Sequence, residues 1–217
     1  MTNKAHRITH LMIAAIALAS LTACGGGGGA APAPAPAPAP AAPVAAAVPT
    51  LASPSVTLGS GATIGAVTWA DGDTASGGHA ASVGGVNCLV TEEYHIHAHL
   101  SIIKDGQQLA IPAHIGLDGC AFELHTHDAS GVIHVETSAY RPFTLGQFFA
   151  VWGQPLTASN VAGIADRAIK VYTSDGGAVS EFTGDPATLV LSNHLSITIV
   201  LGAVPQQIPA YAWGGGL

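Results

Sequence analysis

Sulfur is scarce in this chain. Its 217 residues include three cysteines and two methionines. Both methionines, Met1 and Met12, fall in an N-terminal stretch expected to be removed. A mature protein without a thioether lacks the soft ligands that favour Cu(I), and blue-copper centres require a cysteine thiolate. Charge is scarce too, at 9% of residues, and basic charge is scarcest: six Lys and Arg stand against thirteen Asp and Glu. That balance lacks the basic footprint of a nucleic-acid binder and suits a collector of cations. No internal repeat, P-loop, dinucleotide fingerprint or nucleophile elbow is present, so the common nucleotide-dependent and serine-hydrolase chemistries have no anchor here.

The N-terminus reads as an export signal. Lys4 and Arg7 precede an apolar core, Leu11 to Leu21, which is shorter than the about 20 residues needed to span a bilayer. The following "LTAC", Leu21 to Cys24, resembles the lipobox of bacterial lipoproteins. That resemblance implies cleavage before Cys24 and lipidation of Cys24. By analogy with lipoprotein sorting, Gly25 favours the outer membrane. Residues 1–23 are therefore read as a lipoprotein signal peptide. Residues 24–55, with Gly25 to Gly29 and the Ala-Pro alternation from Ala31 to Pro40, read as a lipidated tether of flexible and semi-rigid chain. Residues 56–217 read as one domain, with folding expected to begin between Val56 and Val67. Outside the cytoplasm, the remaining Cys88 and Cys120 are most simply a disulfide.

Against these absences stands histidine. Seven of eleven histidines lie between positions 95 and 134: His95, His97, His99, His114, His125, His127 and His134. Asp105-Gly106 is a favoured hairpin turn. Pairing Lys104 with Gln107 sets Tyr94, Ile96, Ala98, Leu100 and Ile102 beside Leu109, Ile111, Ala113 and Ile115 on one apolar face. The other face then carries His95, His97 and His99, with His114 opposite His97. Pro112 suggests an edge or bulge on that second strand. In the next segment, a four-residue loop at Asp128 to Gly131 pairs His125 with His134 and His127 with Val132. Phe122, Leu124, Thr126, Ile133 and Val135 then share one face; Glu123, His125, His127, His134 and Glu136 share the other. Glu123 opposite Glu136 is a like-charge pair, which either counts against this register or points to a cation.

Downstream, Thr144 and Gln147 form a capping box ahead of a helical stripe, Leu145, Phe148, Phe149 and Trp152. A second short helix is expected after Pro155. "RAIKVYT" and "AVSEF" read as a hairpin, and "ATLVL" and "LSITIVL" as late strands. His194 reads as a surface or turn residue rather than a ligand. The fold class expected is α+β: a mainly antiparallel β-sheet built of hairpins, with one or two short helices.

The stretches "YHIHAHLSI", "LHTHDASGVIHVE" and "FTLGQFFAVWGQPL" resemble a group of exported bacterial His-rich proteins, over roughly residues 86–202. The likeness implies an extracytoplasmic address and no particular activity. His-x-His on a strand is also similar to cupins and to alpha-type carbonic anhydrases, whose remaining patterns are absent. The residues themselves point to a divalent transition metal, Zn(II) or Cu(II), held by His95, His97, His99, His114, His125, His127, His134 and Glu136, since imidazole suits both ions. The function expected is metal capture, buffering or delivery by a lipoprotein anchored in the cell envelope. Its partners would be the metal ion and, through lipid alone, the membrane, with no nucleic acid. A metalloenzyme with a zinc-bound water or non-haem iron, and a pH-sensing interaction module, are the alternatives.

Overall fold

A computed structural model describes residues 47–72 and 77–217. The expected signal peptide, Cys24 and most of the expected tether lie outside the described residues. Among the described residues there are thirteen strands: β1 (Thr50–Leu51), β2 (Val56–Leu58), β3 (Tyr94–Lys104), β4 (Gln107–Leu109), β5 (Leu124–His125), β6 (Val132–Thr137), β7 (Leu156–Thr157), β8 (Asn160–Val161), β9 (Ile169–Asp175), β10 (Ala178–Phe182), β11 (Ser196–Leu201), β12 (Gln207–Ile208) and β13 (Tyr211–Trp213). Helix α1 spans Leu145–Trp152. The class is α+β and mainly β, as expected, although some pairs are parallel. Strand β1 lies ahead of the expected start of folding and pairs in parallel with β12. Cys88 and Cys120 are joined by a disulfide, with Cα atoms 5.8 Å apart.

The main sheet runs β10-β9-β11-β3-β6-β5, with β4 also on β3. Strand β3 is its axis. Alternation puts Ala98, Leu100 and Ile102 on one face, all essentially inaccessible. They share a core with Ile111, Ile115, Leu124, Ile133 and Val135, and with the buried side of α1: Leu145, Phe148, Phe149, Val151 and Trp152. Helix α1 begins where expected. Thr144 accepts from the Gln147 amide, Gln147 Oε1 accepts from the Thr144 amide at 3.0 Å, and Gly153 closes the helix in the left-handed region at φ 73°. Truncating a side chain such as Trp152 in this core would cost about 3–5 kcal/mol.

The two histidine-bearing hairpins fare differently. Around Asp105-Gly106 the expected register holds for Lys104↔Gln107, Ile103↔Gln108 and Ile102↔Leu109, and then stops. The Ala110 amide turns to Ala66 O at 2.9 Å, and the Leu100 amide is taken by Gly131 O at 2.8 Å. From there β6 replaces β4 along β3, pairing His99↔Val132, His97↔His134 and His95↔Glu136. Gly131, at φ 89°, is needed at this junction, because a Cβ there would stand 2.3 Å from Leu100 O. The expected pairing of His97 with His114 therefore does not occur. Residues 112–115 instead dock on Thr126, whose hydroxyl donates to Pro112 O at 2.8 Å and accepts from the Ile115 amide at 3.1 Å.

The second hairpin keeps its expected register, Leu124↔Val135 and His125↔His134. Asp128 Oδ1 caps its loop by accepting from the Ser130 amide at 3.0 Å. Pairing stops before His127↔Val132, because the Thr126 amide donates to Ile115 O at 3.0 Å. Two later expectations are corrected. After Pro155 the chain forms the small β7–β8 hairpin rather than a helix. "ATLVL" is not a strand: Asp185 and Pro186 start a 3-10 turn, Pro186–Thr188, an arrangement that suits an acidic cap followed by proline. The β9–β10 hairpin and strand β11 form as expected, but β11 lies parallel to β3.

Candidate metal centre

The face of β3, β6 and β5 opposite the core gathers five imidazoles and a carboxylate: His95 and His97 from β3, His134 and Glu136 from β6, His125 from β5, and His127 just beyond it. Alternation on neighbouring strands suffices to aim them together. His134 sits in the middle, between His97 on one flank and His125 on the other, and stacks on His125 with rings 10° from parallel. Atoms of His125, His127, His134 and Glu136 lie mutually within 4.8 Å, as do those of His95, His97 and His134.

The closest approaches have the spacing of a coordination sphere. His95 Nε2 is 3.3 Å from His134 Nδ1, and Glu136 Oε1 is 3.2 Å from the first and 3.4 Å from the second. Bonds of about 2.0–2.1 Å in a tetrahedron give ligand–ligand edges of about 3.3–3.4 Å. His125 Nε2 lies 3.6 Å from the same carboxylate oxygen and 3.3 Å from His127 Nε2.

Outer partners orient two of these rings. Glu92 Oε1 accepts from His95 Nδ1 at 2.8 Å, and Phe122 O accepts from His125 Nδ1 at 2.8 Å. With Nδ1 protonated, each ring presents the Nε2 lone pair to the cluster, the support that metal-ligating histidines ordinarily have. Nε2 of the buried His97 has no hydrogen-bond partner among the described residues, and an orphaned buried acceptor of this kind asks for an explanation. Burial first, and then the neighbouring imidazoles, push His134 down to about 2. Burial and neighbouring histidines, His95 foremost, hold His97 at about 4. Burial holds His125 at about 4 against the opposing Phe122 contact. These rings are neutral at physiological pH, the state in which imidazole coordinates. Burial raises the Glu136 carboxyl above its usual range.

Two of the eight expected residues lie apart from this group. His99 is fully buried: its Nε2 donates to Ser130 O at 3.0 Å, and its ring packs on Tyr211 with centroids 3.8 Å apart. His114 sits exposed in a turn, its Nδ1 donating to Asp71 Oδ1 at 3.0 Å. Glu92 was missed by the sequence reading; its signal was a carboxylate three residues ahead of His95, just outside the strand. The cation called for by Glu123 and Glu136 is in part the Arg141 guanidinium, which hydrogen-bonds Glu123. Asn87 and Thr137 bind the same carboxylate, so Glu123 is committed to structure. His194 donates its amide to His97 O at 2.7 Å and stacks on Trp213, bracing β3 from outside the cluster.

Comparison with known proteins adds no precedent: no family model, no curated protein and no solved structure matches this chain.

Proposed function

We propose that this is a membrane-anchored, extracytoplasmic metal-binding lipoprotein, using its clustered histidines to capture, buffer or deliver Zn(II) or Cu(II). One observation carries the reading: His95 Nε2, His134 Nδ1 and Glu136 Oε1 form a triangle with edges of 3.3, 3.2 and 3.4 Å, the size a first-row divalent ion requires. Imidazole with carboxylate suits both ions, and no free sulfur competes. Capture and delivery also need a way in. His127, exposed like His95, lines a cleft of about 510 Å³ together with His114, Asp71 and Asp128, an opening whose acids and imidazoles favour a cation. The lipid anchor at Cys24 and the cell-envelope location rest on the lipobox resemblance.

The test is a competition titration of the full chain, purified and stripped of metal, against chromogenic chelators. Submicromolar binding of Zn(II) or Cu(II) is expected. Binding no tighter than about millimolar would sink the reading, because adventitious surface histidines achieve as much.

A further inference from the structure

We propose that the cluster holds two divalent ions, with the Glu136 carboxylate between them. The inference rests on the metal-binding reading above and goes beyond it in number and arrangement. Six side chains converge, whereas a tetrahedral ion takes four ligands. They fall into two groups that overlap at His134; with that ring assigned to the first group, only the carboxylate faces both. His95, His97 and His134 form one triad, all within mutual reach. His125 and His127 form the other set, with Nε2 atoms 3.3 Å apart. Glu136 Oε1 faces both sets, at 3.2 Å from His95, 3.4 Å from His134 and 3.6 Å from His125.

A single ion satisfies only part of this arrangement. Placed among His125, His127, His134 and Glu136, it leaves Nε2 of His97 buried with no hydrogen-bond partner among the described residues. Placed among His95, His97 and His134, it leaves His125 and His127 with only each other, Nε2 to Nε2 at 3.3 Å, although Phe122 O fixes the His125 ring with its lone pair inward. Two ions employ every inward nitrogen. Ions in two-metal sites stand about 3.5–4 Å apart, and their repulsion calls for an anion between them. Glu136 is the acidic group in that position. Glu92, hydrogen-bonded to His95, adds a second negative charge beside the first triad.

The experiment is stoichiometry by elemental analysis of the full chain after Zn(II) loading and gel filtration, with Cu(II) paramagnetic resonance alongside. Two ions per chain are expected. Copper should give an isolated-ion spectrum up to one equivalent, then lose intensity through spin coupling as the second ion binds beside it. His97→Ala and His127→Ala should each bind one ion and keep the uncoupled spectrum. Glu136→Gln should bind with the coupling weakened or lost. Saturation of the unmodified chain at one ion overturns the inference while leaving metal binding intact; two ions with fully independent spectra overturn the bridge. No binding at all removes both readings. The unmodified chain decides the count even if a variant fails to fold.

Discussion

Strand β3 carries two kinds of buried histidine only two residues apart. His97 belongs to a group whose ring nitrogens converge, and its Nε2 has no hydrogen-bond partner among the described residues. His99 gives its Nε2 proton to Ser130 O and lays its ring against Tyr211; its Nδ1, like His97 Nε2, has no hydrogen-bond partner among the described residues. Both are held near 4 by burial. The contrast shows that a buried neutral imidazole is not by itself a metal site. What separates them is the company on the adjoining strand: His134 lies opposite His97, and Val132 opposite His99. A metal needs several lone pairs aimed at one point, whereas a core needs one satisfied donor and an apolar cover.

Removing His134, the ring between both flanks of the cluster, should separate these two roles most sharply. His134→Ala should weaken metal binding by more than the about 10–100-fold that loss of an outer partner costs, and by at least roughly a thousandfold in a chelator competition. An affinity within tenfold of the unmodified chain would place the metal elsewhere. The converse change, His99→Ala, should destabilise the fold by about 3 kcal/mol in denaturant unfolding, the cost of emptying a packed aromatic-sized site. Metal affinity per folded molecule should change less than about threefold. A large loss of affinity without loss of stability would reverse the roles assigned to the two residues.

Acid should act on the metal-free protein through the same buried rings. The folded His99 titrates at about 4 and its unfolded counterpart near 6.5, so between those values the unfolded chain binds the extra proton. Stability is therefore full above pH 6.5 and declines as pH falls towards 4. His99 alone contributes a loss of up to about 3 kcal/mol. Urea midpoints at pH 7 and pH 4.5 check this, and a flat profile would show that the ring is not held neutral. The smallest effect expected is at Glu92, which hydrogen-bonds His95 Nδ1 and has a carboxylate oxygen within 4.8 Å of one of Glu136. Glu92→Ala should lower metal affinity about 10–100-fold and leave the unfolding midpoint of the metal-free protein nearly unchanged. An equal effect on both measurements would make Glu92 a structural strut.

The two hairpins show how far local chemistry reaches. The turn Asp128 to Gly131 was legible because Asx capping and a positive-φ glycine are properties of those four residues, and the register His125↔His134 follows from them. Asp105-Gly106 was equally legible, and its turn forms with the expected pairs. What could not be seen was competition. Leu100 has one amide on that edge, and Gly131 takes it, supplied by a strand 31 residues further on. That is why His114 lies away from His97 although alternation and turn chemistry both allowed the pairing. The parallel partner β11 was hidden for the same reason, because no local signal states which distant strand will fill an edge.

By itself, then, the sequence determined which histidines point to which face. Alternation along a strand is a property of the backbone, and it set His95, His97, His125 and His134 opposite the apolar residues that make the core. The capped helix α1 and the disulfide candidates were likewise written locally, in Thr144, Gln147, Cys88 and Cys120. Tertiary structure alone decided that the two histidine sets share one surface. It inserted β6 between β3 and β5, gave His99 to the core, left His114 in an exposed turn, and brought Glu92 to His95. The physical reason is that ligand convergence depends on which strands compete successfully for the same hydrogen-bonding edge, and that competition is settled only when all the strands are present.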